Sequence, residues 1–190
     1  MLTSEFITSD THWGHANIIK YSKRPFRNVE EMDEELILRW NAKVPEGAVI
    51  YHLGDFGFAR PNRLKEIIRR LHGRIRIFPG NHDKTLLNDK SIQAMFDWCR
   101  PFSFHESKGA NGQMIVMCHY AFDVWNKSHH GAWMLHGHSH GSLPPGNRIR
   151  MDVGVDCHPN YEPFSYAEIE ALMRKRVNQP RDHHGARQAG

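Results

Sequence analysis

The chain has 190 residues, 39% apolar and 24% charged, which is enough for one globular domain with a real core and excludes a disordered or fibrous protein. No run approaches the ~18 apolar residues that span a bilayer, Met1 to Glu5 carry no basic stretch ahead of an apolar one, and three scattered cysteines, Cys99, Cys118 and Cys157, speak against a disulfide framework or a cysteine-based zinc site. The net charge of +4 sits at one end, since residues 1–173 hold 20 basic and 20 acidic residues, and this gives little support to nucleic-acid binding.

Phe6-Ile7-Thr8 reads as a short buried strand that ends at Asp10. Residues 15–21 suit a short helix, broken at Arg24-Pro25-Phe26. Asn28 is placed to cap a helix over 29–41, where Val29, Met32, Leu36, Ile37 and Trp40 share a face and five acidic residues favour the first turns. Residues 48–51 form a second strand that runs into Gly54-Asp55. A helix over 61–71 opens on Pro61, with Leu64, Ile67, Ile68 and Leu71 as its apolar stripe and Gly73 as its stop. Residues 74–78 are a third strand, running into Pro79-Gly80-Asn81-His82-Asp83, and a helix is expected over 84–97.

Beyond Pro101 the pattern turns to strands, near 102–106, 113–118, 132–136 and 148–153, with turn-like stretches at 108–112 and 143–147. Ser165-Tyr166-Ala167-Glu168 has the spacing of a capping box and opens a last helix with Ile169, Leu172 and Met173 inward. Residues 1–177 are expected to form a single domain and 178–190 a loose basic tail. Strands alternating with helices, then mostly strands, predict α/β layering with sheet packed on sheet. The expected location is the cytoplasm.

Fifteen histidines are present, and their placement matters more than their number, because imidazole ligates metals and carries protons. Polar residues follow five expected strands: Asp10-Thr11-His12, Asp55, Asn81-His82-Asp83, His119 and His138-Ser139-His140. In α/β sheets ligands bind outside the carboxyl ends of strands. Nitrogen and oxygen donors without sulfur suit Mn, Fe, Zn or Ni, and a carboxylate can bridge two ions roughly 3.5–4 Å apart.

Asp10-x-His12, Gly54-Asp55, Gly80-Asn81-His82-Asp83, His119 and Gly137-His138-x-His140 together resemble, block by block and in order, the calcineurin-like metallophosphoesterase superfamily over residues 10–140. The resemblance implies a four-layer α/β sandwich of two β-sheets packed face to face and flanked by helices. It implies two divalent metal ions, Mn first among them. One is held by Asp10, His12, Asp55 and His140 and the other by Asp55, Asn81, His119 and His138. It also implies hydrolysis of phosphomonoesters or phosphodiesters by a metal-bound hydroxide attacking phosphorus in line, on a phosphorylated small molecule or nucleotide. His82 resembles the family's catalytic histidine, which assists the leaving oxygen, and Asp83 is expected to orient its imidazole.

Several residues invite a second reading. Arg24 and Arg27 are candidate phosphate contacts, because a guanidinium fork matches phosphate oxygens, and His15 is a candidate for the rim. His52 and His136 read as core or supporting histidines, His129 and His130 as loop residues, His183 and His184 as tail residues, and Asp152 and Asp156 as structural. Trp13, Trp125 and Trp133 are expected in the core rather than stacked on a base. Seven basic residues over 60–76 read as a solvated face balancing the acidic 29–41 helix. Two other functions are weighed: a nuclease or nucleic-acid end-processing enzyme, which needs that basic face on a backbone, and a metal-free interaction scaffold.

Overall fold

The computed structural model describes residues 5–100, 105–108, 112–144, 146 and 148–181. Its first half alternates: β1 (Glu5–Thr8), α1 (Ala16–Tyr21), α2 (Val29–Lys43), β2 (Val49–His52), α3 (Pro61–Arg70), β3 (Arg74–Ile77), the short helices α4 (Lys84–Asn88) and α5 (Lys90–Gln93), and β4 (Trp98–Cys99). Its second half holds β5 (His105–Lys108), β6 (Met114–Met117), β7 (Trp133–His136), β8 (Arg150–Asp152), β9 (Phe164–Ser165) and α6 (Tyr166–Met173). One sheet runs β4-β3-β2-β1-β9 and the other β5-β6-β7-β8. In the first, β1 to β4 are parallel and β9 is an antiparallel edge. In the second, β6, β7 and β8 are parallel and β5 runs against β6.

Period-two alternation gives the first sheet two buried faces. Phe6, Ile50 and Ile75 are register partners on one face, where they pack with Leu36, Ile37 and Trp40 of α2 and Leu64 and Ile67 of α3. On the other face Ile7 and Tyr51 pack with Ile115, Met117 and Leu135 of the second sheet. A wholly buried side chain of this size contributes about 1.5–3 kcal/mol, so both clusters matter to stability. The result is an α/β protein of two mixed sheets, flanked by helices.

The caps follow the sequence. Asn28 accepts the Glu31 amide at 2.8 Å, Pro61 opens α3, and the Ser165–Glu168 capping box closes in both directions. Two expectations need correction. The helix over 84–97 breaks at Asp89, whose carboxylate accepts the amides of Ser91 and Ile92 and so starts a new helix, after which Trp98–Cys99 pairs with β3. Leu172 is 40% exposed, because α6 turns Tyr166, Ile169 and Met173 inward, and position 172 falls off that stripe. Of the basic tail, residues 178–181 are described: Asn178 donates to the Ser128 carbonyl at 2.8 Å and Arg181 pairs with Asp123.

Parts of other expectations lie outside the described residues: 102–104 of the expected strand, 109–111, 145 and 147 in the turn-like stretches, and 182–190 of the tail with His183 and His184. The basic 60–76 stretch matches the balanced-face reading. Arg70 grips Glu34 with both guanidinium nitrogens, Arg63 meets Asp33, Glu34 and Glu66, Lys65 meets Asp89 and Arg76 meets Asp97. Among the described residues no helix is long and apolar enough to cross a membrane.

Ser165→Ala removes the oxygen that closes the capping box and should cost about 1 kcal/mol, read as a lowered urea midpoint at an unchanged slope. An unchanged midpoint would mean that α6 is held by packing alone.

Candidate metal centre

The chain leaves β1, β2, β6 and β7 through sharp turns, and the turn residues carry the donors. Asp10, His12, Asp55, His138 and His140 all have positive φ, between 46° and 66°. Only three other non-glycine residues described, Lys23, Lys127 and Tyr161, share that conformation. Such backbone costs roughly 1–3 kcal/mol per residue and persists where its surroundings over-determine it. Close approach is enforced at two glycines. A Cβ on Gly137 would collide with Ser9 Oγ and Asp10 Oδ2, and one on Gly80 with Asp55 Oδ1.

Two donor groups result. Asp10, His12 and His140 form one and Asp55, His119 and His138 the other, with the ligand atoms of each within 4.8 Å of one another. Asp55 Oδ2 lies 3.8 Å from His12 Nε2 and 3.6 Å from His119 Nε2, so it reaches from one group to the other. Asn81 Oδ1 stands 3.1 Å from His119 Nε2. All seven expected ligand residues therefore meet in one place.

The donor chemistry fits cations. His119 Nδ1 donates to the Leu53 carbonyl at 2.7 Å, and burial pushes the imidazole's pKa down, against the pull of Asp55. A neutral ring that donates from Nδ1 turns a lone pair from Nε2 toward the Asn81 oxygen, itself an acceptor. Two facing acceptors repel unless they share a cation. Both ring nitrogens of His12 are buried without a hydrogen bond, and burial, with Arg24 behind it, drives that ring far toward its neutral, ligating form. Asp10 is wholly buried and its pKa stands well above the usual carboxylate range, through burial and then the charges of Asp152 and Asp55, although His140 works against this. Divalent charge is what such a carboxylate lacks.

Supporting groups aim the ligands. His140 Nδ1 donates to Asp156 Oδ2 at 2.7 Å, leaving Nε2 3.8 Å from Asp10 Oδ1, the pattern of a carboxylate-oriented histidine ligand. Burial raises the Asp156 pKa, but its bonds to His140 and Arg24 more than offset this. Sequence reasoning placed Asp156 as merely structural. Its spacing from the motif blocks carries no signal, and the contact spans 16 residues. His52 behaves as expected of a supporting histidine: it is buried, pairs with Thr11 Oγ1 at 3.0 Å and is pushed down to about 3 by burial, with a smaller contribution from His119. Trp13, Trp125 and Trp133 are in the core.

Three expectations about this region are corrected. Arg24 is 3% exposed. Its guanidinium donates to Asp156 from Nε and Nη2 at 2.8 Å each and to the carbonyls of Thr11 and Asp10, so it braces the ligand loops and faces no solvent. Arg27 is exposed, bonded to Glu31, and is not on the cavity wall. Asp83 does not orient His82. Its oxygens accept the amides of Phe56, Gly57 and Gly80, and burial raises its pKa to about 7 in spite of those amides.

The donors open on a cavity of about 550 Å³ lined by His12, Asp55, His82, His138 and His140 on the donor side and by His15, Tyr21, Lys23, Ser139 and Ser142 beyond. His15 lies on this wall, and among the described residues Lys23 is the lysine or arginine that reaches it. Asn81 and His82 are exposed. A third donor group, His158, Glu162 and Glu168, differs in kind. Lys43 Nζ already sits on both carboxylates at 2.9 and 2.6 Å, so an internal ammonium supplies the positive charge.

No protein-family model matches the chain. The uncharacterized protein MJ1445 of Methanocaldococcus jannaschii is 33% identical over 177 residues, which cover 90% of this chain and 91% of that one. Among solved structures, that of AQ665, a protein of unknown function from Aquifex aeolicus, matches with a TM-score of 0.69 at 23% identity, over 89% of this chain and 98% of the other. This is a likeness of fold.

Two variants probe the centre. Asp55→Ala should lose most of the bound divalent metal by elemental analysis while remaining folded by circular dichroism, and full metal content would contradict a reach to both groups. Arg24→Met strands Asp156 in the interior and should cost about 3–5 kcal/mol in denaturant unfolding. Wild-type stability would show that the brace carries no weight.

Proposed function

This chain belongs to the same family as the archaeal protein MJ1445, and we propose that it is a phosphoesterase that works with two divalent cations. The observation that carries the reading is the meeting of two Asp/His groups on one cavity floor, with Asp55 reaching both. The order of the motif blocks and the two-sheet architecture support a calcineurin-like four-layer sandwich. Asp10, His12, Asp55 and His140 would hold one ion and Asp55, Asn81, His119 and His138 the other. The resemblance puts Mn²⁺ first, and nitrogen and oxygen donors without sulfur suit Fe, Zn or Ni as well.

Two ions bound there would supply Lewis-acid charge for a phosphoryl group and a water acidified to a pKa near 7. The protein's own groups do the rest. Asp10 and Asp55 cancel about half of the four positive charges, so the floor stays attractive to an anion. His82, exposed beside the floor, delivers a proton to the departing oxygen. Lys23 meets a phosphate oxygen from the wall. A cavity of this size suits a small phosphorylated molecule or nucleotide, and the proposed setting is the cytoplasm.

The test is a matrix of divalent ions against p-nitrophenyl phosphate, its bis-ester, cyclic nucleotides and short DNA. Manganese-dependent turnover of at least one ester is expected, and inertness with every ion would defeat the reading. His82→Asn should keep its metal and lose about 10²–10⁴-fold in kcat, the usual worth of a general acid. Undiminished turnover in that variant would take His82 out of the reaction.

A further inference from the structure

With Asp83 committed to backbone amides, something else must aim His82. The His82 amide donates to Asp55 Oδ1 at 2.9 Å, which fixes the backbone, but among the described residues the imidazole has no hydrogen-bonding partner. What touches it is aromatic. The ring of Phe58 lies 4.7 Å from that of His82, centroid to centroid, at 39°, and 4.1 Å from that of His15 at 22°. It also stacks over His12 at 5.8 Å and 23°.

Phe58 is 40% exposed, and its buried part lies against these imidazoles. It is not a loose side chain on a loose loop. Its amide donates to the Trp13 carbonyl at 2.8 Å, and the Ala59 amide to the same oxygen at 3.1 Å. The two residues before it, Phe56 and Gly57, are pinned by Asp83, and Gly57 bridges to Trp13, which is wholly buried. Four consecutive backbone amides are thus anchored, and they hold an apolar ring against three imidazoles that line the cavity.

We propose that Phe58 is a positioning residue that aims the His82 imidazole, with His15 bracing the phenyl ring. Asp83 contributes one step removed, by fixing the backbone that carries Phe58. Ring packing of this kind favours defined edge and face arrangements, and it orients an imidazole without occupying either nitrogen, so both remain free for a proton. The inference rests on the phosphoesterase reading of His82 for its catalytic consequence, and on ring contacts alone for its geometry.

The test has two arms. In metal-loaded enzyme acting on p-nitrophenyl phosphate, Phe58→Ala should lower kcat about 10- to 10²-fold through misplacement of the proton donor, with KM and metal content held. Phe58→Tyr, which keeps the ring, should stay close to wild type. In a His82→Asn background Phe58→Ala should cost nothing further, because a residue that acts through His82 then has nothing to act on. By NMR of the full-length protein, with and without zinc, the His82 ring protons should be displaced by the phenyl ring current and should move toward free-imidazole positions in Phe58→Ala. Equal losses in the two backgrounds, or His82 signals that stay in place, would overturn the inference. A wild-type protein that hydrolyses nothing would count against the phosphoesterase reading, and the NMR arm would then judge the positioning by itself.

Discussion

Two buried carboxylates dominate this molecule. Asp10 is wholly buried and Asp55 is 1% exposed, and an ionised carboxylate in such surroundings needs opposite charge or amide donors. Each finds donors in a distant part of the chain: Asp10 in the His138 amide, Asp55 in the His82 amide. Those bonds join loops that follow different strands. They leave the carboxylates' remaining capacity facing imidazoles, and the whole constellation is one negative pole that could hold cations.

Holding that pole together takes a layer of groups that never face solvent. Arg24 ties the Asp10–Thr11 backbone to Asp156, and Asp156 steers His140. His52 and Thr11 fasten the loop after β1 to the loop after β2, where the Thr11 hydroxyl donates to the Phe56 carbonyl at 2.8 Å. Asp83 gathers three amides from two loops. The contrast with Lys43 is instructive. Around His158 the chain closes a similar set of donors with its own ammonium, whereas among the described residues no lysine pairs with Asp10 or Asp55, and Arg24 bonds the Asp10 carbonyl instead.

Much of this could be read from residue order. The polar blocks stand out because each follows an apolar run and several are flanked by glycine, and it is the resemblance of those blocks to a known superfamily that singles out Asp10, His12, Asp55, Asn81, His119, His138 and His140 as donors. The strands and most helices were legible for the same reason, since their periods and caps are local. What escaped depends on distance through space. Arg24 looks like any basic residue ahead of a proline, and only the fold shows that its side chain turns inward to meet Asp156, 132 residues away. Asp83 adjoins His82 in sequence, yet burial draws its carboxylate to amides instead. Phe58 carries no polar signal at all. The break at Asp89 turned on a competition between two short helices that propensity alone does not resolve.

The donor groups share a further trait. Asp10 and His12 leave the first sheet and His140 the second, while Asp55 leaves the first and His119 and His138 the second, and the bridge between Ser9 and Gly154 stitches the layers at that same edge. Anything gripped by either trio therefore rivets one layer onto the other. Binding energy at the floor would be shared with the docking of the layers, so a cation held there would raise the heat tolerance of this protein.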